Sequence, residues 1–140
     1  MQTLTLVRGV PEPGKSTLAN SMLVYAALMY KPTKHFEADQ FFEDDEGNYN
    51  FDPSQLGKAH ADCRYKTENA LVNGFNVIVA NTFATLKEVR PYHEIAQRVG
   101  CNFEIVEATG NFKSIHGVPE EAMVRMRERY QPTEQILQGL

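Results

Sequence analysis

The spacing of apolar positions changes several times along the chain, and each change predicts an element. From Thr3 to Val7 the apolar Leu4, Leu6 and Val7 stand among threonines, as in a strand. Ser16 to Tyr30 contains no Gly or Pro. Its Leu18, Ala19, Met22, Leu23, Tyr25, Ala26 and Met29 make more than one stripe, which predicts a helix buried on several sides and ended by Pro32. His35 to Ala38 reads as a short second strand with Asp39 at its end. Asp52-Pro53 starts a second helix, with Asp as N-cap and Pro at the first position. It runs to about Val72, where Asn73-Gly74 stops it, and Leu56, Ala59, His60, Cys63, Ala70 and Leu71 share one face.

Phe75 to Ala80 is apolar except for Asn76, the mark of a central strand covered on both faces. Thr85 to Val99 reads as a third helix, opened by a Thr85/Glu88 capping box and ended by Gly100. Its buried face is Val89, Tyr92, Ala96 and Val99, and Pro91 is expected to bend or restart it. Phe103 to Ala108 is a fourth strand and Thr109 to Val118 a loop. Pro119 opens a last helix whose apolar stripe is Ala122, Met123, Met126 and Tyr130, and the tail from Gln131 is expected to fray. Strands alternating with helices predict an α/β fold in three layers, with a short, mostly parallel sheet of four or five strands and one domain over residues 1–140.

Between the first strand and the first helix stands Gly9-Val10-Pro11-Glu12-Pro13-Gly14-Lys15-Ser16-Thr17. It fits the phosphate-binding loop template: Gly, four residues, then Gly-Lys-Ser/Thr. Backbone N–H groups of such a loop wrap a phosphate chain, and the helix N-terminus adds partial positive charge. Lys15 can reach the β- and γ-phosphates, and the Ser16 hydroxyl can sit on Mg2+. A plain Gly/Pro turn would explain the glycines but not Lys15 and Ser16 directly behind them. Pro11 and Pro13 offer no N–H, and Glu12 would repel a polyphosphate if it pointed inward.

Charge and composition narrow the classes of function. A net charge of −4 argues against a protein that coats nucleic acid non-specifically, yet leaves room for a local basic groove. No apolar run approaches the roughly 20 residues of a membrane span, so no membrane partner is expected. The chain enters its first strand directly, so no signal peptide is expected. Cys63 and Cys101 are too few and too far apart for a disulfide framework, which makes a cytoplasmic setting the default. Glu43, Asp44, Asp45, Glu46 and Asp52 do not match calcium-loop spacing and read as a solvated acidic loop. His60 lies on the apolar stripe and reads as a hydrogen-bonded core histidine rather than a catalytic one.

Several stretches, in order, resemble the polynucleotide-kinase-like branch of P-loop kinases, near small phage ATP-binding proteins and the kinase domain of the NEDD4-binding-protein-2 family. They are Arg8 to Thr17, His35 to Phe42, Tyr49 to His60, Val77 to Thr82, and His116-Gly117-Val118-Pro119. The resemblance implies the P-loop NTPase fold, ATP and Mg2+ as cofactors, and transfer of the γ-phosphate to a hydroxyl, in polynucleotide kinases a nucleic-acid 5′-hydroxyl. A phage-encoded protein of this kind would work in the host cytoplasm. Asp39 falls on the position of the general base, and Lys15 and Ser16 on the phosphate and metal positions. The acceptor side departs from the pattern. Ala80-Asn81-Thr82-Phe83 replaces an acidic motif, although Asn81 and Thr82 can still hydrogen-bond. The usual lid arginine has either Lys113, without its planar fork, or nothing in its place, and Phe42 replaces another arginine.

His116 either touches ligand from the lid or braces the turn before Pro119. Arg125 and Arg129, one turn apart, either face the site or lie in solvent. Two rival readings therefore stand beside the kinase: a nucleotide-binding module without transfer, and a kinase acting on a nucleoside or other small molecule.

Overall fold

The computed structural model describes residues 2–9, 15–28, 31–108, 124–125 and 128–140. Four strands form one sheet: β1 (Thr3–Arg8), β2 (Thr33–Phe36), β3 (Asn76–Ala80) and β4 (Asn102–Glu107), in the order β2-β3-β1-β4. All three ladders are parallel; Leu4 stands opposite Val77 and Phe103, and Phe36 opposite Val79. The helices are α1 (Lys15–Leu28), α2 (Leu56–Val72), α3 (Leu86–Val99) and α4 (Thr133–Gly139).

Strand alternation divides the core into two. Leu4, Leu6, Val77 and Val79 point to one face, where they meet Ala59, Cys63 and Leu71 of α2 and Val89, Tyr92 and Ile95 of α3. Val7, Ile78 and Ala80 point to the other, against Ala19 with Leu18, Met22 and Leu23 of α1. The sheet is thus sandwiched between helices, which is the layering that the order of elements predicts. Among the described residues, no helix is long and apolar enough to cross a membrane.

Local chemistry sets most of the boundaries. Asp52 caps the turn before α2, accepting from the Ser54 backbone N–H at 3.0 Å. Glu88 accepts from the Thr85 backbone N–H at 2.9 Å and completes the capping box of α3. Gly100 ends α3 in the left-handed region, at φ 80°. That helix does not restart at Pro91; it runs unbroken from Leu86 to Val99.

The C-terminal tail corrects one expectation. Instead of fraying it forms α4, with Ile136 fully buried in the α2/α3 core. Burying such a side chain contributes roughly 1.5–3 kcal/mol, enough to hold a helix of two turns that would not form alone. Gly139 permits the seating, because a Cβ there would stand 2.5 Å from Leu86 Cδ2. Of the helix expected after Pro119, residues 124, 125, 128 and 129 have helical backbone, and its stripe residues Ala122, Met123 and Met126 lie outside the described residues.

Candidate functional site

The strands all end on one edge, and Gly9, the start of α1, Asp39, Asn81 and Thr82 follow directly on them. β1 runs into Gly9, and α1 begins at Lys15, so Lys15, Ser16 and Thr17 form its first turn. That turn contains no acidic residue, which leaves the positive end of the helix dipole uncompensated by its own side chains. Val10, Pro11, Glu12, Pro13 and Gly14 lie outside the described residues, as do Lys113 and His116. The loop's near end is tied to the end of β3: Gly9 N–H donates to the Thr82 carbonyl at 3.2 Å, and Asn81 N–H to the Val7 carbonyl at 3.3 Å.

Asp39 sits in a 3-10 turn, Ala38–Phe42, directly after β2. It is solvent-exposed, and the Tyr49 hydroxyl donates to its Oδ1 at 3.5 Å. Burial and the Asp39 carboxylate together push the Tyr49 phenol above its ordinary value. Asn81 pins the turn: its Oδ1 accepts from Ala38 N–H at 2.9 Å, and its Nδ2 lies 3.9 Å from Cys63 Sγ on α2. The carboxamide offered by the sequence to an acceptor therefore joins three elements and fixes where Asp39 stands. Thr82 takes part through its carbonyl. Phe83, next in the chain, has φ 48°, a left-handed backbone that costs a bulky residue about 1–3 kcal/mol.

Phe42 is the hub of an aromatic cluster beside Asp39. Its ring meets Phe41 at 5.4 Å, Tyr49 at 6.3 Å and Phe51 at 5.1 Å, all edge to face. The acidic stretch behind it is an ordered turn. Glu43 pairs antiparallel with Tyr49, and Asp44 Oδ1 accepts from the backbone N–H groups of Glu46 at 2.9 Å and Asn48 at 2.8 Å. The Asn48 backbone bond, with lesser ones, holds the Asp44 carboxyl below its ordinary value. Among the described residues, no group of three His, Cys, Asp or Glu is placed to hold a metal.

His60 belongs to this neighbourhood. It is half-buried on α2, and burial pushes its imidazole below the ordinary 6.5, against the opposing charges of Glu88 and Asp39. The unfolded chain therefore takes up this proton at a higher pH than the folded one. Stability should fall as pH drops below about 6.5 towards the folded value, and be regained above 6.5. Urea titrations of the parent and His60→Gln across pH 5–7.5 check this: the variant should show the shallower dependence. Equal slopes would remove His60 from the account.

Arg8 is the residue that sequence reading missed. It is completely buried at the end of β1. Its Nε donates to the Phe83 carbonyl at 3.0 Å, and Nη2 to the carbonyls of Gln131 at 2.6 Å and Ala84 at 3.4 Å. Nη1 donates to Thr133 Oγ1 at 2.8 Å, which in turn donates to Glu107 Oε2 at 3.1 Å. The guanidinium also lies 4.1 Å from the centre of the Tyr130 ring. Burial, with Glu107 nearby, pushes the Tyr130 phenol up to about 12, against the opposing effect of Arg8. The signal in the sequence was position alone: a cation in a strand that is otherwise apolar and threonine.

Of the two late arginines, Arg129 reaches within 3.7 Å of Glu88 Oε1 at the start of α3. Arg125 is exposed.

Comparison with known proteins bears out the fold. No family model matches the chain. Human NEDD4-binding protein 2 is 29% identical over 140 residues, covering 91% of this chain; the chain spans 8% of that protein's length. The structure of the Pnkp1/Rnl/Hen1 complex superimposes with a TM-score of 0.63 at 18% identity, over 89% of this chain and 38% of the other. The APS kinase CysC of Mycobacterium tuberculosis superimposes with a TM-score of 0.64 at 11% identity, over 98% of this chain and 97% of the other. The chain has the P-loop NTPase fold, with a four-stranded, all-parallel sheet.

Proposed function

We propose that this chain is an ATP-dependent, magnesium-requiring kinase that passes the γ-phosphate to a polynucleotide 5′-hydroxyl. One observation carries the reading. A loop with the phosphate-binding sequence joins β1 to α1, and on the same sheet edge Asp39 stands exposed on a turn pinned to the end of β3. A helix N-terminus without acidic residues in its first turn fits a polyphosphate. That one of the structural relatives is named an APS kinase supports the reaction class.

The roles follow from chemistry. Gly9 to Gly14 and the first turn of α1 would cradle the phosphates through backbone N–H groups, with Lys15 as point charge. Ser16 would hold Mg2+, which neutralises charge on the phosphates when bound. Asp39 takes the proton of the acceptor hydroxyl as that oxygen attacks the γ-phosphorus. The bond from γ-phosphorus to the bridging oxygen breaks, and ADP leaves. Lys113 and His116 are assigned to the lid over the transferred group, and Thr82, Arg125 and Arg129 to the acceptor side.

A second reading, nucleotide binding without transfer, is favoured by Asn81, whose carboxamide is engaged with Ala38 and Cys63 rather than open to an acceptor. One assay separates the two. Labelled γ-phosphate from ATP is offered with Mg2+ to 5′-hydroxyl RNA, 5′-hydroxyl DNA and a nucleoside panel. Label should reach an oligonucleotide 5′ end and fall at least about 100-fold in Lys15→Ala, which loses charge stabilisation of the transferred group. Label on nucleosides alone would redirect the acceptor, and ATP binding without any labelled acceptor would overturn the kinase.

A further inference from the structure

β2 is an edge strand, and α2 runs beside it. Between β2 and the C-terminal half of α2 lies a groove of about 330 Å³, lined among others by Lys34, Tyr65, Lys66, Asn69, Asn73 and Phe75. Tyr65, Lys66, Asn69 and Asn73 recur at one, three and four residues, one stripe of a helix. Tyr65 is 72% exposed, so its ring contributes little to the core and offers an open face. The Lys34 ammonium lies 4.8 Å from the centre of the Phe75 ring. Lys66 lies 3.0 Å from Asp62 Oδ2, a half-exposed pair of the kind that contributes little and is readily exchanged for another anion. Asn73 Nδ2 donates to the Asn69 backbone carbonyl at 2.8 Å and to Asn69 Oδ1 at 3.4 Å, which brings these two carboxamides together at the groove's far end.

Two ammonium groups among exposed or half-buried aromatic rings match one ligand chemistry: phosphates for the cations and nucleobases for the rings. Resting on the polynucleotide reading above, we propose that this groove is the track for the single-stranded nucleic acid behind the 5′-terminal hydroxyl. The local charge supports it. The turn following Asp39 carries Glu43, Asp44, Asp45 and Glu46, all exposed, and repels a polyanion on that side. The groove carries Lys34 from β2 and Lys66 from α2.

The lengths agree. His60 follows Ala59, which shares a buried cluster with Ala38 and Phe42 of the turn that carries Asp39. At about 1.5 Å per residue, Tyr65 is about 7.5 Å further along α2 and Asn73 about 20 Å. At about 3.4 Å per stacked nucleotide, the groove begins about two nucleotides beyond the acceptor nucleotide, out of reach of a dimer, and ends about six beyond it.

The test uses the full chain and 5′-hydroxyl oligonucleotides of two, four, six and eight residues. KM should drop from dimer to hexamer and then level off. Lys34→Ala/Lys66→Ala and, separately, Tyr65→Ala should raise the hexamer KM roughly 5- to 100-fold, leaving kcat and the dimer KM unchanged. Loss of two phosphate contacts should also flatten the salt dependence of hexamer binding by about 1.4 in log–log slope. Transfer that is intact but independent of length and of these side chains would overturn the track and leave the kinase standing. If no oligonucleotide is phosphorylated, the kinase reading fails instead. Fluorescence anisotropy of a labelled hexamer without ATP then still decides the groove: binding lost in the double variant supports it, and no binding, or binding indifferent to the variant, overturns it.

Discussion

Asp39→Asn is expected to slow phosphoryl transfer roughly 10²- to 10⁴-fold, the usual contribution of a positioned general base. The substitution keeps size and shape, so the turn Ala38–Phe42 should stay in place. Its anchor is the Ala38 backbone N–H on Asn81 Oδ1, and that bond does not involve the Asp39 side chain. The Tyr49 hydroxyl can still donate to the amide oxygen that replaces Oδ1. What is lost is the capacity to accept a proton. ATP affinity should therefore remain within about twofold of the parent, measured by calorimetry, while single-turnover transfer collapses. An unchanged transfer rate would take the base away from Asp39, whatever else the chain does.

The largest expected effect on stability is at Arg8. Arg8→Met keeps most of the volume and removes every donor. The carbonyls of Phe83 and Gln131 then lose the Arg8 donor, while the Ala84 carbonyl keeps only the Gln131 N–H and the Thr133 hydroxyl only Glu107. Removing one member of a buried charged network costs about 3–5 kcal/mol. For a domain of this size that corresponds to a melting temperature lower by roughly 10–15 °C. Arg8→Lys keeps a cation but not the fork, so it should recover only part of the loss. The damage should not stop at stability. Arg8 precedes the phosphate loop and ties it to both the segment after β3 and the start of α4, so nucleotide affinity should weaken in parallel. Denaturant titrations showing both variants within 1 kcal/mol of the parent would refute this account.

The contrast between these two residues shows which signals a sequence carries. The place of Asp39 was legible because it follows directly from the order of elements, just past the end of a strand. The Asp52 cap, the Thr85/Glu88 capping box and Gly100 were legible because their partners lie within a few residues. Arg8 was not, because its partners lie 75 to 125 residues away. Asn81 was legible as a polar residue on the right edge, but its partners on Ala38 and Cys63, 43 and 18 residues away, were not. The tail from Gln131 was misread for the same reason. Its composition is that of a loose end, and only Ile136, buried in a core built by distant segments, makes it a helix.

The strand order has a consequence for how the chain reaches this state. β1 is made first, yet both of its neighbours in the sheet arrive late. Thr3 bonds Asn76, 73 residues on, and Thr5 bonds Glu104, 99 residues on. Ladders of such separation must be closed against chain entropy before they reward it, which makes assembly slow. During synthesis the apolar β1 therefore waits without a partner until more than half of the chain has been made. That interval, rather than the finished fold, is when the unpaired strand is most exposed to aggregation.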